Sequence, residues 1–309
     1  MSTQAVRMAF TQALLKLAKE DKDIFAVATD SRGSVTLGDF AKELPEQFVE
    51  CGIAEQDAIG VSAGLANGGK KPFVCGPACF YSLRSAEQVK VDVAYSHTNV
   101  KIIGVSGGVS YGALGSTHHA IQDVALFRAV PGLQIFLPAD GNQMAAMTKY
   151  LAASTEPAYV RMGRGPVPDI YEENASFIPG KANALREGGD GAIIACGEMV
   201  YIALEAAALL EKEGLHVRVV DMHTLKPLDE DAVVEAAKTG AVLTVEEHHV
   251  YGGLGSAVAQ VLGQKYPARL CVMGLPDENV YTGTSAQVFA HYGLTGEGIA
   301  ANIKALLKR

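Results

Sequence analysis

Short β-branched runs alternate along the whole chain with stretches of helical periodicity, and this alternation restricts the fold more than any other feature of the sequence. In the first half the runs are IFAVAT, PFVCG, VKIIGVS, QIFLPA and AYVRM. Helices are expected between them around Glu55, SAEQVKVDVAYS, DVALFRAV and GNQMAAMTKYLAA. After Arg164 the pattern breaks into GPVPDIYEENASFIPGKANALREGGDG, rich in glycine, proline and polar side chains, which marks a domain boundary. A second alternating set follows: GAIIAC, VRVVDM, AVLTVEE and RLCVMG with helical segments between. The expected architecture is α/β in two domains, residues 1–175 and 176–309, each a mainly parallel sheet flanked by helices.

Composition narrows the function classes. With 309 residues, 49% hydrophobic and 19% charged, the chain can build two cored domains. A net charge of −8 argues against a nucleic-acid or anionic-membrane surface. The N-terminal stretch MSTQAVRMAFTQALLKLAKEDKD reads as an amphipathic helix, because charges interrupt its apolar residues as they would not in a signal peptide. No window approaches the roughly 18 apolar residues of a membrane span. A soluble, cytoplasmic protein is expected. The five cysteines are odd in number and lack CxxC spacing, so neither a disulfide framework nor a zinc site is implied.

Two segments carry chemistry. In GIAEQDAIGVSAGLA, Gly52–Ala66, Glu55 stands in the first turn of a helix of small and apolar residues. Close packing there should perturb its proton affinity, although a first-turn glutamate is also favoured by the helix dipole. About sixty residues on, GSTHHAIQDVALFRAVPG places His118 and His119 on a Gly-Ser-Thr loop after a strand, where adjacent side chains point in different directions. The two motifs, in this order and spacing, resemble the pyrimidine-binding domain of transketolase-type thiamine diphosphate enzymes. The resemblance runs along essentially the whole chain, through PADGNQM and YVRMGRG to TVEEHHVYGGLGSAVAQVL, which is similar to that family's C-terminal domain.

The resemblance implies roles. Glu55 matches the carboxyl group that hydrogen-bonds a pyrimidine ring nitrogen and drives cofactor activation; His118 matches the histidine that donates to the substrate oxygen near the reacting carbon. Tyr81 and Arg84 in CFYSLR fall where residues stack on or flank the pyrimidine. Asp30, at the end of IFAVAT, lies beside the cofactor. Arg7, Ser34 and Arg161 match positions that hold a sugar phosphate, and arginine suits phosphate through its bidentate fork. His119 stands where transketolases commonly have glutamine, as a polar contact or a packing residue.

Departures from the family pattern matter equally. The GDG…Asn motif that binds diphosphate and Mg²⁺ is missing; Gly189-Asp190-Gly191 opens a second-domain strand and no asparagine follows at the required reach. No metal site is expected in this chain. The cofactor is therefore expected to be shared with a separate N-terminal subunit that carries GDG…Asn and binds Mg²⁺ or another divalent ion, the pairs dimerising into a heterotetramer. Where transketolases carry an aspartate four residues before the loop histidine, this chain has Leu114, and Ser106 replaces a histidine twelve residues before it. An atypical or branched sugar phosphate is the expected substrate of ketol transfer. Alternatives are a deoxyxylulose-5-phosphate synthase-like or 2-oxo acid dehydrogenase β-chain activity, and a catalytically silent regulatory subunit. The Gly252–Gly255 turn lacks GxGxxG and reads as a packing or dimer-interface turn, not a nucleotide loop.

Overall fold

The computed structural model describes residues Thr3–Lys308. By its contacts the chain falls into two compact units. Residues up to Gly107 and Leu126–Phe177 form the first, and Gly108–Ala125 with the residues from Ile178 onward form the second. The Gly/Pro-rich stretch that marks the later crossing is visible in the sequence. The Gly108–Ala125 excursion carries no such compositional sign.

The first unit runs β1 (Thr3–Ala5), α1 (Val6–Glu20), β2 (Ile24–Ala28), α2 (Gly38–Glu43), β3 (Phe48–Glu50), α3 (Glu55–Asn67), β4 (Lys71–Pro77), a short α4 (Ala86–Gln88) and β5 (Lys101–Val105). Helix α5 (Asp123–Arg128) brings the chain back, followed by β6 (Gln134–Phe136), α6 (Gly141–Ala153), β7 (Ala158–Met162) and β8 (Pro166–Pro168). The main strands are parallel in the order β6-β7-β5-β4-β2-β3. Strand alternation sends Ile24, Ala26, Phe73, Cys75, Ile103, Val105 and Val160 to one face. There they pack against Phe10 and Leu14 of α1 and Met144, Met147 and Leu151 of α6. The expected helix over SAEQVKVDVAYS forms, but α4 is flanked by π-helical turns at Phe80–Arg84 and Val89–Tyr95. Such turns recur at functional sites.

The second unit runs β9 (Asn183–Arg186), β10 (Gly191–Ala195), α7 (Met199–Lys212), β11 (Val217–Asp221), β12 (Thr224–Lys226), α8 (Glu230–Ala237), β13 (Ala241–His249), α9 (Leu254–Gln264), β14 (Arg269–Leu275), α10 (Ser285–Tyr292) and α11 (Gly296–Leu307). Its five-stranded sheet has the order β14-β13-β10-β11-β9. All neighbours are parallel except β9, an antiparallel edge strand that the Gly/Pro-rich surroundings hide in the sequence. Helix α7 packs with α11, and α8 packs with α9.

Candidate functional site

Parallel strands direct all their C-terminal ends to one edge, where ligands collect in open α/β sheets. In the first unit that edge carries Asp30 after β2, Glu55 after β3, Tyr81 and Arg84 after β4, and Ser106 after β5. Backbone strain gathers there as well: Asp30 (φ 51°), Thr36 (φ 60°) and Ser106 (φ 60°) are non-glycine residues in the left-handed region.

Glu55 opens α3 and is only 2% exposed. Its Oε2 accepts a hydrogen bond from Arg84 Nη1 at 2.6 Å, while Oε1 has no hydrogen-bond partner among the described residues. The Arg84 guanidinium also lies over the Phe80 ring, 4.3 Å from its centroid. A flat cation is thus stacked on an aromatic face and hydrogen-bonded to a buried carboxylate.

Tyr81, expected to stack on or flank the ring, faces inward. Its side chain is fully buried, its hydroxyl lies 3.3 Å from Thr29 Oγ1, and its ring fills the space a Cβ at Gly76 would need. Burial pushes its phenol well above the ordinary range. In this conformation Tyr81 offers no face to a ligand, and the accessible ring of the segment is Phe80. The sequence signal for Phe80 was its place beside Tyr81 in CFYSLR; which of the two rings turns outward depends on the π-helical backbone.

Asp30 is exposed, and its N–H donates to Glu50 Oε1 at 2.7 Å. The same oxygen accepts from Gly52 N at 3.1 Å. Glu50, absent from the expected residues, ties the turn after β2 to the approach to Glu55. Arg7 and Ser34 come together: Arg7 Nη1 donates to the Ser34 carbonyl at 2.5 Å. Arg161 is 5% exposed on β7, packed so closely under Gly107 that a Cβ there would collide with it. Ser106 is buried, and its hydroxyl has no hydrogen-bond partner among the described residues.

His118 and His119 belong to the second unit. His118 is half-buried, its Nδ1 lies 2.9 Å from Thr117 Oγ1, and its ring meets Tyr111 edge-on at 5.6 Å. His119 is 4% exposed with Nε2 3.2 Å from the Gly112 carbonyl oxygen. Burial lowers its proton affinity, and its Nδ1 has no hydrogen-bond partner among the described residues. Leu114 is exposed at the end of a 3₁₀ turn, Gly112–Leu114. In Gly189-Asp190-Gly191, Asp190 Oδ2 accepts from His216 N at 2.6 Å, a turn contact ahead of β10. The Gly252–Gly255 turn is tightly packed: a Cβ at Gly253 would collide with Glu246, whose carboxylate accepts from Leu254 N (2.7 Å) and Gly255 N (2.8 Å) at the start of α9. Glu246 takes the place a phosphate would need. Among the described residues no group of three His, Cys, Asp or Glu side chains is placed to hold a metal ion.

Comparison with known proteins identifies the family. Residues 2–169 match the pyrimidine-binding domain of transketolase, and residues 180–299 match the transketolase C-terminal domain. The chain is 57% identical to a subunit of the apulose-4-phosphate transketolase of Phocaeicola vulgatus, covering 99% of this chain and 98% of that protein. It is 39% identical to the 6-deoxy-6-sulfo-D-fructose transketolase subunit SqwH of a Clostridium species, over 95% of this chain and 92% of that one. Among solved structures, a split-gene transketolase described as an inactive β4 tetramer superposes with a TM-score of 0.90 at 40% identity, covering 99% of both chains. A transketolase from Pichia stipitis shares the fold, with a TM-score of 0.83 at 22% identity, covering 100% of this chain and 46% of that one. The chain belongs to the transketolase family.

Proposed function

We propose that this chain is the C-terminal subunit of a two-subunit transketolase that moves a two-carbon ketol unit between sugar phosphates, with thiamine diphosphate completed by an N-terminal partner. The observation that carries the proposal is Glu55, a carboxylate 2% exposed at the C-terminal edge of a parallel sheet with one oxygen still to be partnered. The end-to-end likeness to proteins named as transketolase subunits supports it.

The residues present fit the pyrimidine half of the cofactor. The Arg84 guanidinium, which lies over the Phe80 ring and bonds Glu55, supports that reading, since it is a planar group bearing N–H donors. Glu55 and Phe80 would hold the ring, and Asp30 with Glu50 would shape the edge beside it. When bound, the cofactor would supply the electron sink for the carbon of the ketol unit. Glu55 Oε1 would hold or share a proton at the ring nitrogen, in a setting where exclusion of water strengthens the bond. His118 donates to the substrate oxygen next to the reacting carbon. Arg7 and Ser34 bind the distal phosphate, Arg7 through its charged fork. The diphosphate and its divalent ion fall to the partner subunit. Ile53 (77% exposed), Leu83 (61%) and Tyr95 (86%) surround this segment of the chain, and apolar exposure of that extent suits a surface that a partner covers.

The substrate reading rests on Leu114 and Ser106. An aspartate facing a sugar hydroxyl rejects sugars that lack it, because the unmatched carboxylate costs about 1–3 kcal/mol. Leu114 removes that reader, and Ser106 leaves room for a branched or otherwise unusual carbon. The decisive experiment is a steady-state comparison of donors with the reconstituted pair. A branched ketose phosphate such as apulose 4-phosphate should exceed xylulose 5-phosphate in kcat/KM, and Leu114→Asp should narrow the gap. Xylulose 5-phosphate as best donor by a wide margin, unimproved by Leu114→Asp, would sink the substrate assignment.

A further inference from the structure

The Gly108–Ala125 loop that carries His118 belongs to the second unit, and it is held there at both ends by one strand. Near its start, Val109 N–H donates to Glu247 Oε1 at 2.7 Å, a bond buried from solvent. Gly108 has φ 59°, and a Cβ on it would collide with the Glu247 carboxylate. A side chain at that position would therefore be strained and would also push the carboxylate away. At the other end Ala125 N–H donates to His248 Nε2 at 3.3 Å, and His249 N–H donates to the Ile121 carbonyl at 2.9 Å. His248 Nδ1 lies 2.7 Å from the His249 carbonyl oxygen, so Nδ1 carries the proton and Nε2 is left to accept. Between these anchors, Gly108 and Ala120 pair across the loop's neck in both directions (2.9 and 2.8 Å). By contrast Leu114, Ser116, Thr117 and Ala113 are exposed, so the loop's placement depends on its ends. Ser285 Oγ adds a bond to the Val109 carbonyl at 3.1 Å.

We propose that Glu247 and His248, consecutive residues at the end of β13, are positioning residues for His118: they fix both ends of the loop that presents it. This gives the EEHH run of the second unit a part in the reaction at the level of placement, and it rests on the role of His118 proposed above. Glu247 is suited to the task because a carboxylate bonded to a buried N–H is strong, while the N–H left behind by its removal cannot turn to water.

The test combines amide exchange on the isolated chain with steady-state kinetics on the reconstituted pair. In Glu247→Ala, exchange of amides within residues 109–120 should accelerate about 10-fold or more, as expected for loss of one buried charge-assisted bond, while amides of β10 keep their rates. In the complex its kcat should fall at least about 10-fold with donor KM within about twofold, since only the placement of the donor to the reacting carbon has changed. Glu247→Gln, whose amide oxygen can still accept from Val109, should restore most of both. Ser285→Ala loosens the same end without disturbing a buried charge. It should show the loop acceleration in smaller measure, and it covers the case in which Glu247→Ala does not fold. Unchanged loop exchange in the variants, or faster exchange with full kcat, would overturn the proposal; so would Gln behaving as badly as Ala. A wild-type pair without ketol transfer would instead overturn the proposed function, with the exchange rates still deciding whether these residues anchor the loop.

Discussion

Glu55 meets two demands that a surface glutamate never faces together. Its Oε2 is engaged by Arg84 and its Oε1 has no hydrogen-bond partner among the described residues, in a place almost closed to water; on the proposed function that oxygen meets a ring nitrogen. Removing the carboxyl group should therefore act on chemistry more than on folding. We expect Glu55→Ala in the reconstituted complex to lose about 10²–10⁴-fold in kcat, the range of a positioned proton-transfer group, and Glu55→Gln to be nearly as damaging. An amide can hydrogen-bond the ring but cannot share a proton with it. Single-turnover kinetics alongside thermal unfolding would check this, and a variant retaining a tenth of wild-type turnover would reduce Glu55 to a helix-start residue. Tyr81 teaches the opposite lesson at the same scale. Its ring is buried, while that of Phe80 is partly exposed beneath the Arg84 guanidinium.

Single elements are pinned by carboxylates that the sequence displays only as ordinary acids. Asp140, fully buried, caps α6 by accepting from Gln143 N at 2.8 Å through Oδ1. Its Oδ2 accepts from Ile170 N (2.6 Å) and Tyr171 N (2.7 Å), which ties the segment after β8 to the start of that helix. Asp140→Ala removes a cap and leaves two further backbone N–H groups without a charged acceptor. The expected cost is about 2–5 kcal/mol, and the urea midpoint would report it. A loss below about 0.5 kcal/mol would mean that water or a neighbouring group replaces all three bonds. Glu246 does for α9 what Asp140 does for α6, which explains why the glycine-rich turn before α9 is compact and not a phosphate cradle.

For the molecule as a whole, the proposed division of labour predicts how the chain behaves by itself. On that proposal this chain supplies the residues for the pyrimidine ring and the partner those for the diphosphate and its ion. Calorimetry of the isolated chain with thiamine diphosphate and Mg²⁺ should give a Kd at least about 100-fold weaker than that of the reconstituted pair, equivalent to about 2.7 kcal/mol of binding energy supplied only in the complex. Tight, Mg²⁺-dependent binding by the chain alone would refute the division.

The main parallel strands, the helices between them and the placing of Glu55 at a helix start were legible in the sequence. Each rests on local periodicity, on Gly and Pro punctuation, or on a motif a few residues long. The parallel sheet then follows from the alternation, and with it the shared edge that gathers Asp30, Glu55 and Ser106. Tertiary structure alone decided which of Phe80 and Tyr81 turns outward, that Glu50 organises the turn beside Glu55, and that Arg161 lies buried under Gly107. It also decided that the His118 loop is anchored by residues about 130 positions away, Glu247 being 138 residues from Val109 and His248 123 from Ala125. Periodicity reports how a residue relates to its own element. A contact between residues so far apart leaves no local trace, because its energy comes from a buried bond that exists only after both segments have been brought together.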